Sequence, residues 1–491
     1  MRSVVVCWLW PLKHREEEQT SFVIQWGHKY WQAIRGVLKA RSIGVLLAWQ
    51  NNWQGVGVGL ALLLAAITVA ETSVIGALCA LMGGLALLAY AAQGPQENAL
   101  KWTVLDGWLL AFTLTLVVAT AWSSVPESWV GLLKALLLLS GWVACRLWLG
   151  RYPVLVGWVL GVLMLLGGVQ AGVAWQQLHS TSMEALATWQ DPNLDESLQL
   201  TRVYGTLPPF NPNLLAGFLI PCWGGALGIM AWKLLTLQGK RFADWFRLFA
   251  VVGWVAFIAW ALVATGSRGG YLALAAMGVV WVLGVGHWVF RDPVLQGPTQ
   301  GFWLKRLWLW GVTLVVAGVA LMVMTSEKLW ARLSSIGAGA NDSSIAYRFH
   351  VYQAAWQMIQ DHWWVGIGPG NLTFQAVYGF YMTPGIFALG AYSVPLEVWI
   401  EQGLLGLMTF AGWWLATLLA GIWLVDHPRL ALPERCWALG LTAAWVGQGV
   451  YGVFDTVWYR PAVYVTTGLV WAALAALVAH SLRLFEAQET P

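Results

Sequence analysis

The sequence predicts an all-α, polytopic integral membrane protein of about twelve transmembrane helices, with a long external loop that contains amphipathic helices. Of its 491 residues, 59% are hydrophobic and only 10% are charged, whereas soluble domains carry about a quarter charged residues. Apolar stretches of about twenty residues recur along the chain, and each can cross a hydrocarbon core of roughly 30 Å. The alternating pattern of a membrane β-barrel is absent from these stretches.

The limits of the apolar stretches define the predicted spans. Many of the 37 tryptophans lie near the ends of these stretches, where amphipathic rings favour the headgroup level. We therefore expect most of them to anchor helices rather than to take part in chemistry. The predicted spans are 54–70, 73–92, 103–121, 128–146, 152–175, 209–232, 247–265, 269–290, 305–324, 394–425, 436–455 and 461–481.

The basic residues are distributed unevenly between the two sides of this arrangement. With the N-terminus inside, most of the 27 Lys and Arg residues fall in cytoplasmic segments. The positive-inside rule therefore predicts that both termini are cytoplasmic. The basic residues on the external side are Arg202, Arg268, Lys328, Arg332, Arg348 and Arg460.

Three segments follow from this pattern. The N-terminal segment covers 1–53, and apolar and basic side chains alternate in it from Phe22 to Trp49, which predicts an amphipathic helix on the cytoplasmic surface. The transmembrane domain covers 54–485, and a short tail covers 486–491. The external loop at about 325–393 is long for a compact membrane protein, and loops of this length are usually functional or form lids.

Residues suited to binding an anion lie at the predicted external ends of the sixth, seventh and eighth spans. Arg202 precedes a Pro-rich turn with Asn211 and Asn213, and Ser267 and Arg268 stand between glycines. A guanidinium offers planar donors to phosphate, carboxylate or bicarbonate, and a helix N-terminus adds backbone donors. The alternatives are an interfacial Arg with a helix cap, and a tight turn whose Arg reaches lipid headgroups.

Charged residues later in the chain extend this candidate site. Arg348 begins an amphipathic helix predicted on the outer surface. Glu397 and Glu401 are four residues apart and therefore share one helical face in the tenth span. Carboxylates inside a membrane tend to face a cavity or a cation, so we expect them to pair with an external arginine, in a functional or a purely structural role. Asp455 and Arg460 flank the last external turn and are expected to pair locally.

Other function classes lack the residues they need. The five cysteines and eight histidines are scattered and form no ligand set, so the sequence predicts no disulfide, no metal site and no cofactor. The net charge of +4 is not gathered on a soluble domain, so no nucleic acid is expected. The glycines at 366–370 follow no strand and precede no Lys-Ser/Thr pair, so neither a dinucleotide fold nor a P-loop is predicted.

Five motifs between about residues 200 and 460 together resemble the O-antigen ligase and polymerase superfamily. They are Arg202 with Phe210-Asn-Pro-Asn213, Thr265-Gly-Ser-Arg-Gly-Gly270, Tyr347-Arg348, Gly366-Ile-Gly-Pro-Gly370 and Leu396-Glu-Val-Trp-Ile-Glu-Gln-Gly-Leu-Leu-Gly406. Within that superfamily, Ala391-Tyr-Ser-Val-Pro-Leu-Glu397 looks like the cyanobacterial branch called IctB, which is described as a group of bicarbonate or inorganic-carbon transport proteins. The resemblance implies that the protein lies in the plasma (inner) membrane of a bacterium and comes from a cyanobacterium.

The resemblance also implies roles for particular residues. In the ligases of this superfamily, external arginines are thought to bind the diphosphate of a lipid-linked glycan, and a histidine assists transfer without a metal ion. Arg202 and Arg268 match the arginine positions, and Arg348 is a further candidate. Tyr392 and Ser393 stand where the histidine and the asparagine of that motif are expected. A phenol with a pKa near 10 is a poor base at neutral pH.

Three functional hypotheses follow. The main hypothesis is an IctB-like protein that transports or accumulates bicarbonate, with the external arginines as the anion site. The alternative is a metal-independent glycosyltransferase that acts at the external face on glycans linked to a polyprenyl diphosphate. The third is an accessory subunit with a vestigial site. The predicted partners are membrane lipids and either bicarbonate or a lipid-linked glycan.

Overall fold

The computed structural model describes residues 52–92, 101–179, 202–237, 242–291, 302, 304–306, 308–313, 343–456 and 459–489. The predicted N-terminal surface helix, the first part of the long external loop and most of the predicted span 305–324 lie outside the described residues. Within them the chain is helical, and no strand occurs there. The helices are α1 (Trp53–Ala66), α2 (Thr72–Ala92), α3 (Val104–Trp122), α4 (Ser128–Arg151), α5 (Val154–His179), α6 (Pro212–Leu235), α7 (Phe242–Ala264), α8 (Arg268–Arg291), α9 (Ser343–His362), α10 (Asn371–Tyr378), α11 (Val394–Val425), α12 (Leu432–Phe454) and α13 (Pro461–Glu489).

Nine helices in the described part of the chain are long and apolar enough to cross a membrane: α2 to α8, α11 and α13. Their outward faces expose large apolar side chains such as Leu81, Phe249 and Leu419, which a lipid environment would cover. The chain is therefore a polytopic membrane protein, as predicted. The predicted count of twelve spans is not confirmed.

Two predicted spans form helices that are not among these nine. The span at 54–70 is the 14-residue helix α1, which is short for a bilayer crossing. The span at 436–455 is the 23-residue helix α12, whose polar side chains lower its hydropathy. Gln448, for example, faces protein rather than lipid: it is buried, and its side-chain amide donates from Nε2 to the Gly217 carbonyl at 2.8 Å.

Helices α6 and α13 lie at the centre of the bundle. Of the residues in their most apolar 18-residue stretches, 89% in α6 and 94% in α13 are buried. Helix α6 packs along α12, α5 and α7, while α13 packs along α4. The contact between α6 and α12 brings backbone against backbone: a Cβ added at Gly440 would lie 2.4 Å from the Gly224 carbonyl oxygen. Small residues at such a crossing permit close packing where lipid offers no hydrophobic driving force.

Helix α11 is broken at Gly403, whose φ of 65° and ψ of −165° are not helical. The segment at 363–368 fits against the break and supplies partners for its backbone groups. Three backbone hydrogen bonds join them: Leu404 N to Trp363 O (2.7 Å), Ile367 N to Ile400 O (2.9 Å) and Gly368 N to Glu401 O (3.0 Å). A non-helical turn within a membrane protein is stable only when its backbone groups are satisfied by protein in this way.

Residues 343–393, called the insert below, form a small unit with its own apolar core. Helix α9 contributes Val351 and Met358 to that core, and α10 contributes Phe374. The opposite face of α9 exposes Gln353, Gln357 and Gln360, so the helix is amphipathic, although Trp356 is also exposed there. The insert also contacts α4, where a Cβ at Gly131 would overlap the Pro369 carbonyl oxygen.

Candidate functional site

A cavity of about 580 Å³ lies between α3, α4, the start of α6, the insert, the first turns of α11 and the segment that joins α12 to α13. Towards the insert its wall is polar, with Asn211, Asn213, Glu397, Glu401, Asp455 and Arg460. Deeper along α3 and α4 the wall is apolar, with Phe112, Leu116, Leu138, Leu139 and Trp142. Trp142 lies roughly 20 Å along α4 from Ser128, at about 1.5 Å per residue.

The first turns of α6 position two of the predicted residues in the polar wall. Asn211 is the N-cap of α6, and its Oδ1 accepts a hydrogen bond from the Asn213 backbone N–H at 2.8 Å. Pro212 at the first helical position has no N–H to satisfy and a φ suited to a helix. The cap therefore fixes the backbone of Asn213, and Tyr451 Oη donates to its carbonyl at 2.7 Å.

A chain of polar contacts links Arg202 to Asp455 through the Asn213 side chain. Arg202 Nη2 donates to Asn213 Oδ1 at 2.7 Å, and Asn213 Nδ2 donates to Asp455 Oδ2 at 2.9 Å. Arg202 Nε also donates to the Thr265 carbonyl at 2.7 Å. The Asn213 amide therefore accepts a hydrogen bond from the guanidinium and donates one to the carboxylate. These two bonds fix the orientation of the amide and hold both charged groups in place.

Arg348 reaches the same carboxylate from the insert. Its Nη2 lies 3.5 Å from Asp455 Oδ2, and its Nη1 donates to the Phe454 carbonyl at 2.5 Å. Asp455 is only 7% exposed, so a cation and an amide donor compensate a carboxylate that is nearly out of water. The predicted local pair of Asp455 with Arg460 is wrong, because Arg348 and Asn213 take that carboxylate and Arg460 forms no ion pair among the described residues.

Ser267 and Arg268 lie in the turn between α7 and α8, next to this chain of contacts. Ser267 is buried, with its Oγ 3.5 Å from Tyr451 Oη, and Arg268 is the first residue of α8. The turn packs directly on Arg202, because a Cβ at Gly266 would lie 3.2 Å from Arg202 Nε. Ser267, Arg268, Arg202 and Arg348 are not part of the cavity wall.

The two glutamates of α11 line the cavity, and each is 2% exposed. Glu397 accepts a hydrogen bond from the Ala391 backbone N–H. Glu401 Oε1 accepts one from the Gly370 N–H at 2.7 Å, and Tyr459 donates a second with its hydroxyl. The expected pairing with an arginine is wrong for the described residues: both carboxylates are held by backbone N–H groups of the insert, and Glu401 also by the Tyr459 hydroxyl, rather than by cations.

Tyr392, at the position implied for the ligase histidine, also lines the cavity. Its φ of 52° is unusual for a non-glycine residue, and its ring lies 5.5 Å from the Arg348 guanidinium carbon. Burial raises the pKa of the Tyr392 phenol, and the neighbouring Tyr347 hydroxyl, 3.5 Å from its own, adds to the rise. The phenol is therefore neutral at physiological pH and is a poor proton acceptor.

The cavity wall includes charged and polar residues that the sequence analysis did not assign to the site. Lys134 lies on α4, and Tyr459 and Gln402 lie on the opposite wall. The signal for Lys134 was available, since a lysine within a predicted span is by itself a candidate functional residue. Tyr459 and Gln402 carry no such signal, because neither their spacing nor their charge distinguishes them in the sequence.

Replacement of Asn213 by leucine is expected to lower the stability of the protein by about 1.5–3 kcal/mol, because it removes hydrogen bonds to two charged groups in a nearly buried place. Thermal unfolding in detergent measures the change. Gln357→Leu is a suitable control, since Gln357 is exposed on α9. Equal unfolding midpoints for the two variants would show that the link between Arg202 and Asp455 adds nothing to stability.

Residues 253–411 match the family model described as O-antigen ligase. The match covers most of α7, all of α8, the insert and α11 beyond its break, and it includes Arg268, Arg348, Tyr392 and both glutamates. Arg202, Asn213 and Asp455 lie outside it. No curated protein matches the chain. The match supports the O-antigen ligase part of the predicted resemblance; it gives no support to the IctB branch, to bicarbonate or to a cyanobacterial source.

Proposed function

We propose that this protein is a glycosyltransferase of the O-antigen ligase type, which moves a glycan from a polyprenyl diphosphate to an acceptor hydroxyl inside the cavity. The observation that carries the proposal is the two-part wall of the 580 Å³ cavity, polar near the insert and apolar towards the middle of the bundle. A lipid-linked glycan has the same two parts. The match of residues 253–411 to O-antigen ligase supports this substrate class.

The arrangement of α3 and α4 suits a prenyl chain. These consecutive helices contact each other little, because α3 packs along α11 while α4 packs along α2 and α13. Both expose leucines on their outer surfaces, among them Leu114 and Leu133, and the cavity lies between them. A prenyl chain in this space would bury apolar surface at about 25 cal/mol per Å².

Lys134 and Arg460 are the cations of the cavity wall and would contact the diphosphate. Lys134 lies towards the insert end of α4, and Arg460 lies in the segment before α13. Arg202, Arg268 and Arg348 stand behind the wall and would make the potential at this end of the cavity more positive for an anion. Asn211 and Asn213 would offer hydrogen bonds to the phosphates or the sugar.

We place this end of the bundle on the external side of an inner membrane, with both termini cytoplasmic. The distribution of Lys and Arg along the chain supports this orientation. In that orientation the insert would cover the cavity from outside and would act as its lid. The ligase resemblance implies that the transfer needs no metal ion.

Transfer assays with the purified full-length protein in liposomes test this function. The donor is an oligosaccharide on a polyprenyl diphosphate, and the acceptor is either a lipid A core oligosaccharide or a second lipid-linked glycan. A larger glycan and free polyprenyl diphosphate are the expected products. If no acceptor yields product while the same liposomes take up bicarbonate faster than empty ones, the transport reading would replace this one.

Arg460→Ala is expected to raise the donor KM about 10- to 100-fold, since a hydrogen bond from a cation to a charged group contributes about 1.5–3 kcal/mol. The measurement is the rate of transfer at varied donor concentration. Arg247→Ala is the matched control, because Arg247 is exposed and lies near the start of α7, far from the Ala264 end that faces Arg202. An unchanged donor KM in Arg460→Ala would remove Arg460 from the diphosphate site.

A further inference from the structure

We infer that Glu397 is the catalytic base, the group that takes the proton from the acceptor hydroxyl during transfer. This inference rests on the proposed function and assigns the residue that replaces the missing histidine. Its starting point is the geometry of the three buried carboxylates in the cavity wall, Glu397, Glu401 and Asp455. The fourth carboxylate of the wall, Glu127, is exposed at the start of α4.

The three carboxylates differ in how many donors the protein supplies to them. Asp455 receives the Asn213 amide and lies next to the Arg348 guanidinium. Glu401 receives the Gly370 N–H and the Tyr459 hydroxyl. Glu397 receives only the Ala391 N–H, and among the described residues no Lys, Arg or His forms an ion pair with it. Of the three buried carboxylates, Glu397 therefore has the most capacity left to accept a hydrogen bond from a substrate hydroxyl.

The carboxylate of Glu397 is held in a defined position. Glu397 lies in the first turns of α11, directly after the Ser393 N-cap. The chain at Gly390 passes so closely that an added Cβ would lie 2.9 Å from both carboxylate oxygens. This close approach and the Ala391 N–H fix the group against the cavity, and a fixed orientation is what proton transfer in a transition state requires.

Tyr392 is the other candidate for the base, and its surroundings argue against it. Its phenol is neutral at physiological pH and lies beside the Tyr347 hydroxyl. An ionised carboxylate can take a proton directly, whereas a neutral phenol must first lose its own. Glu397 lies five residues further along the chain and lines the same cavity.

Transfer forms one bond to the donor sugar and breaks another. The acceptor oxygen forms a bond to the anomeric carbon of the donor sugar, and the bond from that carbon to the phosphate oxygen breaks. The proton of the acceptor hydroxyl passes to Glu397, and the electron pair of the broken bond leaves with the polyprenyl diphosphate. Lys134 and Arg460 would compensate the charge on that leaving group. No oxidant, reductant or metal ion enters the step.

Glu397→Gln tests the inference, because the amide keeps the size of the side chain and can still accept from the Ala391 N–H. We expect the kcat for transfer to fall by about 100- to 10,000-fold, the usual contribution of a general base. The affinity for the lipid-linked donor is expected to stay within threefold. Asp426→Asn is the matched control, since Asp426 is 57% exposed and follows the far end of α11.

Chemical rescue separates a catalytic loss from a structural one. In Glu397→Ala, added formate is expected to restore part of the transfer rate, because a small carboxylate can occupy the vacated space. A kcat of Glu397→Gln close to wild type would overturn the inference while leaving the proposed function intact. So would a joint loss of kcat and donor binding that formate does not restore. A wild-type protein that transfers no glycan would overturn the proposed function and this inference together.

Discussion

Alanine at Gly403 is expected to prevent most of the protein from reaching its folded state. Gly403 has a φ of 65° and a ψ of −165°, a conformation that is essentially confined to glycine. An added Cβ would lie 2.2 Å from the Trp364 carbonyl oxygen and 2.4 Å from the Val365 nitrogen. Both contacts are with backbone atoms, so neither can be relieved by rotation of a side chain.

The yield of monodisperse protein after extraction, measured by size-exclusion chromatography, reports this effect. Gly253→Ala is the matched control: Gly253 lies inside α7, and a Cβ there meets no atom within 4 Å. Alanine also favours a helix over glycine by roughly 1 kcal/mol, so this variant should behave at least as well as the wild type. Equal yields from Gly403→Ala and Gly253→Ala would show that α11 has no break at this position.

The apolar pattern predicts most of the bundle well, because a helix in lipid must satisfy its own backbone and expose apolar side chains along its whole length. The predicted span 394–425 coincides with α11, and 103–121 differs by one residue from α3 at each end. The break in α11 is not visible in the same pattern. A glycine inside an apolar helix is common in membranes, and the sequence does not show that the segment at 363–368 packs against this one.

The site is predictable only in part, because its contacts join residues that are far apart in the chain. Arg202, Arg348 and Asp455 share a predicted membrane face, but Asn213 and Asp455 are 242 residues apart and nothing in the sequence pairs them. The glutamates were expected to pair with arginines, because the charge pattern of a sequence does not show which backbone N–H groups will lie near a carboxylate. In the structure, turns of the insert bring the N–H groups of Ala391 and Gly370 to them.

The opposite end of the bundle carries a buried ion pair that the sequence analysis did not anticipate. Arg146 donates from Nε to Asp106 Oδ1 at 2.8 Å and from Nη2 to Asp106 Oδ2 at 2.9 Å, and the two side chains are 4% and 7% exposed. Asp106 also accepts from the Thr103 N–H at 2.7 Å and thereby caps the start of α3. The Lys101 carbonyl accepts from Arg146 Nη2 at 2.8 Å, so the pair joins α3, α4 and the segment before α3.

Asp106→Ala is expected to destabilise the protein by about 3–5 kcal/mol, because it leaves a buried guanidinium without its counter-charge and removes a helix cap. Thermal unfolding in detergent measures the change, with Asp426→Ala as the control. Asp426 is 57% exposed and lies 3.5 Å from Arg435, so its loss should change stability by less than about 1 kcal/mol.

A double variant separates the charge effect from the loss of packing. Asp106→Leu combined with Arg146→Met replaces both partners by apolar side chains of similar volume, and such replacements are often neutral or stabilising. We therefore expect the double variant to unfold at a higher temperature than Asp106→Ala. If Asp106→Ala unfolds at the same temperature as the Asp426→Ala control, the ion pair of Asp106 and Arg146 would contribute no more to stability than an exposed ion pair does. If instead the double variant is as unstable as Asp106→Ala, the capping hydrogen bonds from Thr103, rather than the ion pair, would hold this end of α3.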